Sequence, residues 1–202
     1  MRGMAPVCVW YSYGVTVTTT LKDLPFDDAA ETVSLGAAFV DLRPASSYLE
    51  VHIPGSLSLS YEFGPGLASR ARDCLPLDLP LVLIDDPAAD MPHVAASLRG
   101  KGFDVIGRVR NALREWGDAH GPPRSTETIS EAAPGSTILD VGDPGARVPE
   151  GATRIPLERL WSRVPELAGA VTVVAGFGVR ASLAIGILEH NGFEDLYLLQ
   201  LR

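Results

Sequence analysis

The sequence predicts an α/β protein made of two similar domains, each with a parallel sheet and flanking helices. The first observation is a gapless internal repeat: the segment starting at Leu81 matches the segment starting at Val171. Each copy begins with four mainly apolar residues, typical of a buried parallel strand. A short loop then leads into a stretch with apolar residues at helical spacing. Both copies end in Gly-Phe, and we expect Gly102 and Gly192 to end their helices in a left-handed conformation.

The second observation is a repeated piece upstream of each copy. Residues 37–44 and 136–144 are each an apolar strand that ends in Asp, and each leads to a turn rich in Pro and Gly. Two matching pieces in the same order favour a duplicated domain over two unrelated βα units, and strands alternating with helices favour parallel sheets. Residues 117–128 are rich in Gly, Pro, Ser and Thr, typical of a linker. We therefore predict domains at 1–120, with a β-prone N-terminal extension, and at 129–202, joined by a linker at 121–128.

Composition excludes several classes of partner. The net charge is −8 and both halves carry more acidic than basic residues, which disfavours nucleic-acid binding. Two cysteines, Cys8 and Cys74, do not make a disulfide framework and favour a reducing compartment. No apolar run approaches the length of a membrane span, and the N-terminus lacks the features of a secretion signal. We expect a cytoplasmic protein with no membrane contact.

One motif resembles a known family. Residues 40–62, VDLRPASSYLEVHIPGSLSLSYE, are similar to the opening of the rhodanese family: Asp-x-Arg at Asp41 and Arg43, then His-Ile-Pro-Gly from His52. The second copy keeps Asp140, but Gly142 stands where the arginine would be. The resemblance spans residues 33–202. The arrangement is most similar to the paired rhodanese modules attached to metallo-β-lactamase-fold proteins related to persulfide dioxygenases.

The resemblance also places the active-site loop. The family transfers sulfur through a Cys-x-x-Gly-x-Arg turn between a strand and a helix. In the second domain this turn corresponds to Ala175, Gly176, Phe177, Gly178, Val179 and Arg180. In the first domain it corresponds to Asp85, Asp86, Pro87, Ala88, Ala89 and Asp90. Neither copy has the cysteine, and an alanine offers no atom for covalent catalysis.

The second loop keeps features of an anion cradle. Gly176 and Gly178 permit a tight turn, and Arg180 adds a fixed positive charge. These residues predict a residual site for sulfate or thiosulfate. The alternative is that Arg180 is an exposed helix residue or pairs with a nearby Asp.

The first loop has the opposite charge. Asp85, Asp86 and Asp90 would repel an anionic substrate. Three carboxylates are compatible with a divalent metal, but Asp85-Asp86-Pro87 also has the pattern of a helix N-cap with an acidic first turn, which we favour. The four histidines have no metal-ligand spacing. We predict no metal and no cofactor.

The remaining motif residues have structural explanations. The resemblance implies that Asp41 and Arg43 form a buried ion pair that braces the fold, and Asp140 is its counterpart in the second copy. We expect His52, with Pro54 and Gly55, to hydrogen-bond the turn in which it lies.

Three functional hypotheses remain. The first is an inactive tandem rhodanese that acts as a binding or regulatory module, with a protein partner in sulfur metabolism. The second is an active sulfurtransferase that uses Cys74 or Cys8; Arg70 and Arg72 flank Cys74 and would lower the pKa of its thiol. The opposing interpretation is that Cys74 is a loop or core thiol. The third is a small-anion binder through Arg180.

Overall fold

Two parallel sheets organise the chain. The computed structural model describes residues 20–61, 66–143, 145, 148–175 and 178–200, and within these ranges nine strands form a sheet of four and a sheet of five. All strand pairs in both sheets are parallel, and helices connect the strands. The predicted α/β class is confirmed, and the two sheets fit the two predicted domains.

The first sheet has the order β2-β1-β3-β4. Its strands are β1 (Ala38–Asp41), β2 (Leu57–Ser58), β3 (Leu81–Ile84) and β4 (Val105–Val109). Its helices are α1 (Phe26–Ser34), α2 (Ala45–Glu50), α3 (Gly66–Cys74), α4 (Met91–Gly100) and α5 (Ala112–His120). Successive residues of β1 and β3 enter two different cores, one shared with the second sheet and one packed against α1. Burial on both faces explains why β3 is continuously apolar and why β1 is apolar up to Asp41, its last residue.

The second sheet has the order β5-β9-β8-β6-β7. Its strands are β5 (Glu127–Ile129), β6 (Thr137–Asp140), β7 (Thr153–Arg154), β8 (Val171–Val174) and β9 (Leu196–Leu199). The accompanying helices are α6 (Leu157–Arg163), followed by a 3-10 turn at Val164–Glu166, and α7 (Gly178–His190).

A short edge segment gives both sheets the same topology. The Leu24 N–H donates to the Arg108 carbonyl at 2.8 Å, and the Arg108 N–H donates to the Lys22 carbonyl at 2.8 Å. Residues 22–24 thus lie beside β4 in the position that β5 has beside β9. With this segment included, the two sheets have the same strand order. Gly107 permits the approach, because a Cβ there would lie 2.7 Å from the Lys22 carbonyl oxygen.

The internal repeat corresponds to repeated structure. β3 and β8 are each fully buried, and α4 and α7 each end at a left-handed glycine, Gly102 (φ 99°) and Gly192 (φ 88°). The Phe103 N–H donates to the Leu98 carbonyl at 3.2 Å, and the second copy has the same bond between Phe193 and Leu188 at 3.1 Å. Both predicted helix ends are confirmed.

Helix α7 lies between the two halves. Apart from the half-buried Arg180, every residue from Val179 to Glu189 is buried, and the helix packs against β2 and α2 of the first half as well as against α6. A helix that is apolar all round is expected in such an interior position. Gly186 allows the close contact, because a Cβ there would lie 2.5 Å from the Ser56 carbonyl oxygen and 2.9 Å from the Tyr48 hydroxyl.

The predicted linker is tied to both halves. Arg124 exchanges two backbone hydrogen bonds with His52, at 2.8 and 2.9 Å, and the Thr126 N–H donates to the Leu49 carbonyl at 2.8 Å. The structure differs from the prediction in one respect: β5 already begins at Glu127, so residues 127 and 128 belong to the second sheet. The other domain boundaries stay a prediction. The N-terminal extension, up to residue 19, lies outside the described residues. Within the described ranges, no helix has the length and apolar character needed to cross a membrane.

Candidate functional site

The second-domain loop follows β8 at the carboxyl edge of its sheet. Ala175 comes directly after β8, Gly178 opens α7, and Val179 is buried in the first turn of that helix. Gly176 and Phe177 lie outside the described residues. The methyl group of Ala175 can neither attack a sulfane sulfur nor hold one as a persulfide.

Arg180 is engaged by carboxylates. Its Nε donates to the Val141 carbonyl at 2.7 Å, and its two terminal nitrogens donate to the Glu158 carboxylate at 3.0 and 3.3 Å. Asp143 lies 3.5 Å from the same guanidinium. Burial raises the pKa of Glu158, but the Arg180 hydrogen bonds, a backbone hydrogen bond of Glu158 itself and the Arg180 charge together outweigh burial and lower it. An anion at this loop would have to displace a bound carboxylate, and the predicted anion site stays a prediction.

The carboxylates of the first-domain loop accept hydrogen bonds from groups of the same chain. Asp85 accepts from Arg108 Nη1 at 3.1 Å, and Asp86 accepts from the Ala88 N–H at 2.9 Å. Asp90 is the N-cap of α4 and accepts from the His93 N–H at 3.2 Å. The prediction that Asp85-Asp86-Pro87 forms the helix cap is therefore wrong in position. Asp86 accepts a hydrogen bond from Ala88 in a turn before the helix, so α4 begins only at Met91 and Asp90 is its cap. Among the described residues, no three metal-ligating side chains cluster.

Cys74 is a buried thiol. It is the last residue of α3 and is 4% exposed. Burial raises the pKa of its thiol to about 12, Glu158 adds to the rise, and Arg180 and Arg70 offset only part of it. The expectation of a lowered pKa is wrong: Arg72 is two residues away on a helix and faces another direction, and desolvation exceeds the effect of Arg70. Cys8 lies outside the described residues.

The Asp-x-Arg motif forms the expected ion pair. Asp41 is fully buried, and Arg43 donates to it from Nη2 at 2.6 Å and from Nε at 3.0 and 3.1 Å. In the second half the Gly142 N–H donates to Asp140 at 2.9 Å. The Nε of Arg154 lies 3.3 Å from the other Asp140 oxygen, which has no hydrogen bond. Arg154 of β7 therefore supplies the charge that is missing at position 142.

The His-Ile-Pro-Gly segment forms a tight turn. The Ser56 N–H donates to the Ile53 carbonyl at 3.0 Å, with Pro54 and Gly55 at the two central positions. The φ of Gly55 is 75°, which favours glycine at this position, and Pro54 supplies the fixed φ that suits the preceding one.

His52 does more than brace its own turn. Its Nδ1 lies 2.8 Å from the Tyr48 carbonyl oxygen, and its Nε2 lies 3.0 Å from Glu189 Oε2 on α7. Both partners are acceptors, so both contacts are hydrogen bonds when the ring carries two protons. We expected His52 to hydrogen-bond its own turn; its ring instead contacts the Tyr48 carbonyl of α2 and Glu189 of the other half.

Glu189 was not among the candidate site residues that the sequence predicted. The Gly55 N–H donates to its Oε2 at 3.0 Å, and Arg124 Nη1 donates to its Oε1 at 3.3 Å. Burial raises the pKa of Glu189, but the His52 hydrogen bond and charge, the Gly55 N–H and the Arg124 charge together lower it. We call Glu189, His52, Arg124 and Gly55 the interface cluster.

A pocket of about 570 Å³ opens beside Ala175, between α2 of the first half and the carboxyl edge of the second sheet. We call it the Ala175 pocket. Ligands of open α/β sheets bind at this edge, where the strands end. Its described walls are formed by α2, the start of the second half, the end of β9 and the first turn of α7. Arg180 does not line it.

Comparison with known proteins identifies the family. No family model matches the sequence. Thiosulfate sulfurtransferase GlpE of Pseudomonas savastanoi pv. phaseolicola is 30% identical over 98 residues, which are 48% of this chain and 89% of that protein. Among solved structures, SseA from Escherichia coli, described with the 3-mercaptopyruvate sulfotransferases, is 16% identical with a TM-score of 0.43, covering 89% of this chain and 98% of that one.

A thiosulfate sulfurtransferase from Pseudomonas aeruginosa is 19% identical with a TM-score of 0.41, covering 88% of this chain and 40% of that one. The similarity to GlpE extends over nearly the whole of that protein. Together with the Asp-x-Arg and His-Ile-Pro-Gly motifs and the parallel sheets, it shows that this chain belongs to the rhodanese-like sulfurtransferase family.

Proposed function

We propose that this protein is a rhodanese-like binding module that does not transfer sulfur. The observation that carries the proposal is the chemistry of the two loop positions. Ala175 has no nucleophile, and Asp85 is a carboxylate paired with Arg108. The described cysteine, Cys74, is buried, and its raised pKa keeps it a neutral thiol at pH 7, whereas the thiolate is the nucleophile.

The first prediction concerns sulfur transfer itself. We expect no thiosulfate:cyanide turnover above that of the matched control, the Cys8→Ser/Cys74→Ala protein. We also expect Ala175→Cys to restore little turnover, because Arg180 is held by Glu158 and the Ala175 pocket offers no described cation to thiosulfate. Initial rates of thiocyanate formation measure both.

Turnover by the unmodified protein that is lost in the cysteine-free control would refute the proposal. It would support the alternative, an active sulfurtransferase with Cys74 or Cys8 as nucleophile. The single substitutions would then show which of the two thiols carries the sulfur.

A narrower form of the proposal retains a small-anion site at Arg180. Sulfate or thiosulfate would have to replace Glu158 on the guanidinium, so wild-type binding would be weak. We expect sulfate to raise the Tm of Glu158→Gln more than that of the wild type, because a native-state ligand stabilises by mass action.

The matched control is Glu158→Gln/Arg180→Ala, since sulfate also stabilises proteins non-specifically by exclusion from their surface. Melting is measured in sulfate and in chloride at equal ionic strength. Equal sulfate shifts in all three proteins would mean that no anion binds at Arg180.

The partner belongs to the same proposal. Paired rhodanese modules of similar arrangement are attached to metallo-β-lactamase-fold proteins, so we propose a separately encoded enzyme of sulfur metabolism as the partner. A reducing compartment, favoured by the two cysteines, suits such a partner. Failure of the purified protein to bind the persulfide dioxygenase of its own cell in size-exclusion chromatography would count against this partner.

A further inference from the structure

The Ala175 pocket has the composition of a small-molecule site. Its apolar wall is formed on several sides by Leu49, Ala181, Leu198 and Leu199. Its volume of about 570 Å³ is in the usual range for ligand pockets, which combine apolar walls with a few polar groups. The apolar residues come from both halves, so the pocket exists only where α2 meets the second sheet.

The polar groups of the pocket are mainly hydroxyls and an amide. Ser46, Thr126, Thr128 and Gln200 line it. The Oγ1 of Thr126 is buried and has no hydrogen-bond partner in the protein. Because that oxygen has almost no exposed surface, the polar side chains that a ligand would contact are the exposed ones, Ser46, Thr128 and Gln200.

The described lining of the pocket carries one negative charge. Among its described lining residues, Glu50 is the one ionisable side chain, and it lies exposed at the end of α2 with no ion-pair partner in the described parts of the chain. Arg180, which would give the loop a positive charge, donates to Glu158 and Val141 instead. A carboxylate at the rim attracts a cation and repels an anion.

We propose that the Ala175 pocket binds a small organic cation with an apolar body. The apolar part packs between Leu49 and Leu199, and the cationic group stays at the solvent edge beside Glu50. This inference deepens the proposed function, because it names the ligand class of the binding module. It also gives the site a charge preference opposite to that of the thiosulfate site expected for the family.

Three probes of similar size and different charge test the inference: benzylammonium, benzyl alcohol and phenylacetate. Binding is measured by titration of the amide signals of ¹⁵N-labelled full-length protein. We expect benzylammonium to bind best and phenylacetate worst, with shifts at Ala175, Gly178 and Ala181. Glu50→Gln should weaken benzylammonium roughly two- to fivefold, the range expected for a partly exposed ion pair, and leave benzyl alcohol unchanged.

Two variants complete the test. Ser46→Phe, at an exposed position of α2, should fill the pocket and abolish binding of benzylammonium and benzyl alcohol alike. Glu115→Gln, which removes an exposed helix carboxylate in α5 far along the chain, should change nothing.

Several results would overturn the inference. These are the absence of binding by any probe, binding of phenylacetate at least as tight as that of benzylammonium, an unaffected Glu50→Gln protein, or shifts that map away from the pocket. Each of them leaves the sulfur-transfer result untouched. Conversely, sulfur-transfer turnover would refute the proposed function without bearing on which probe binds.

Discussion

Gly186→Ala is expected to lower the free energy of unfolding by about 1–2 kcal/mol, although alanine is the better helix former. The new Cβ would lie 2.5 Å from the Ser56 carbonyl oxygen, 2.9 Å from the Tyr48 hydroxyl and 3.2 Å from the Leu57 Cα. Two of these atoms are backbone, and Ser56 O also accepts the Tyr48 hydroxyl at 2.6 Å. Relief therefore requires α7 to move away from β2. Overpacking of this kind costs about 1–3 kcal/mol and exceeds the roughly 1 kcal/mol gained in helix propensity.

Gly117→Ala is the matched control for that substitution. Gly117 lies inside α5, and an added Cβ would meet only an ordinary contact with Pro123 at 3.9 Å. This change should stabilise the protein by about 0.5–1 kcal/mol, because alanine loses less backbone entropy on folding than glycine. Urea unfolding followed by circular dichroism measures both. An unchanged midpoint for Gly186→Ala would mean that α7 and β2 are not in tight contact.

The fold was predictable because its signals are local. A short and mainly apolar run, a loop, a helical pattern and Gly-Phe recur in both halves, and all of these signals lie close together along the chain. Leu81 and Val171 open equivalent strands, and Gly102 and Gly192 end equivalent helices. The motif turn at Pro54 and Gly55 is equally local, since its closing hydrogen bond spans four residues.

The site was less predictable because its contacts are distant in sequence. Arg180 is held by Glu158 of α6, and Asp140 has Arg154 of β7 beside it. No spacing rule indicates which carboxylate or arginine approaches across a sheet. The loss of the nucleophile could be identified from sequence, whereas the charge of the pocket depends on where Arg180 points.

Cys74 illustrates the same limit in one residue. Its neighbours in sequence include Arg70 and Arg72, which favoured a low thiol pKa. In the folded chain the thiol is buried at the junction of α3 with the second half, and desolvation dominates. Proximity along the chain is a poor guide to an electrostatic environment when burial is not known.

Glu189→Gln is expected to destabilise the protein by about 3 kcal/mol at pH 7. Glu189 is a buried carboxylate that accepts hydrogen bonds from His52 and Gly55 and is paired with Arg124. A neutral amide of the same size removes the negative charge that faces the His52 ring and the Arg124 guanidinium, and breaking a buried ion pair from one side costs about 3–5 kcal/mol. The change in urea midpoint at pH 7 measures the loss. Glu166→Gln is the matched control, because its ion pair with Arg163 is exposed and should contribute little.

The difference in urea midpoint between the wild type and Glu189→Gln should also depend on pH. The direction of this dependence follows from the groups of the interface cluster that surround the Glu189 carboxylate. The pKa of Glu189 in the folded protein is lower than its ordinary value of 4.5, because His52, Gly55 and Arg124 outweigh the effect of burial. The carboxylate therefore contributes its full stability above pH 4.5, and the contribution is lost as pH falls through the lowered pKa. We expect the two urea midpoints to converge as the pH is lowered through 4.5 and below it. A difference that stays constant over this range would show that the charge of Glu189 does not hold α7 against the His-Ile-Pro-Gly turn.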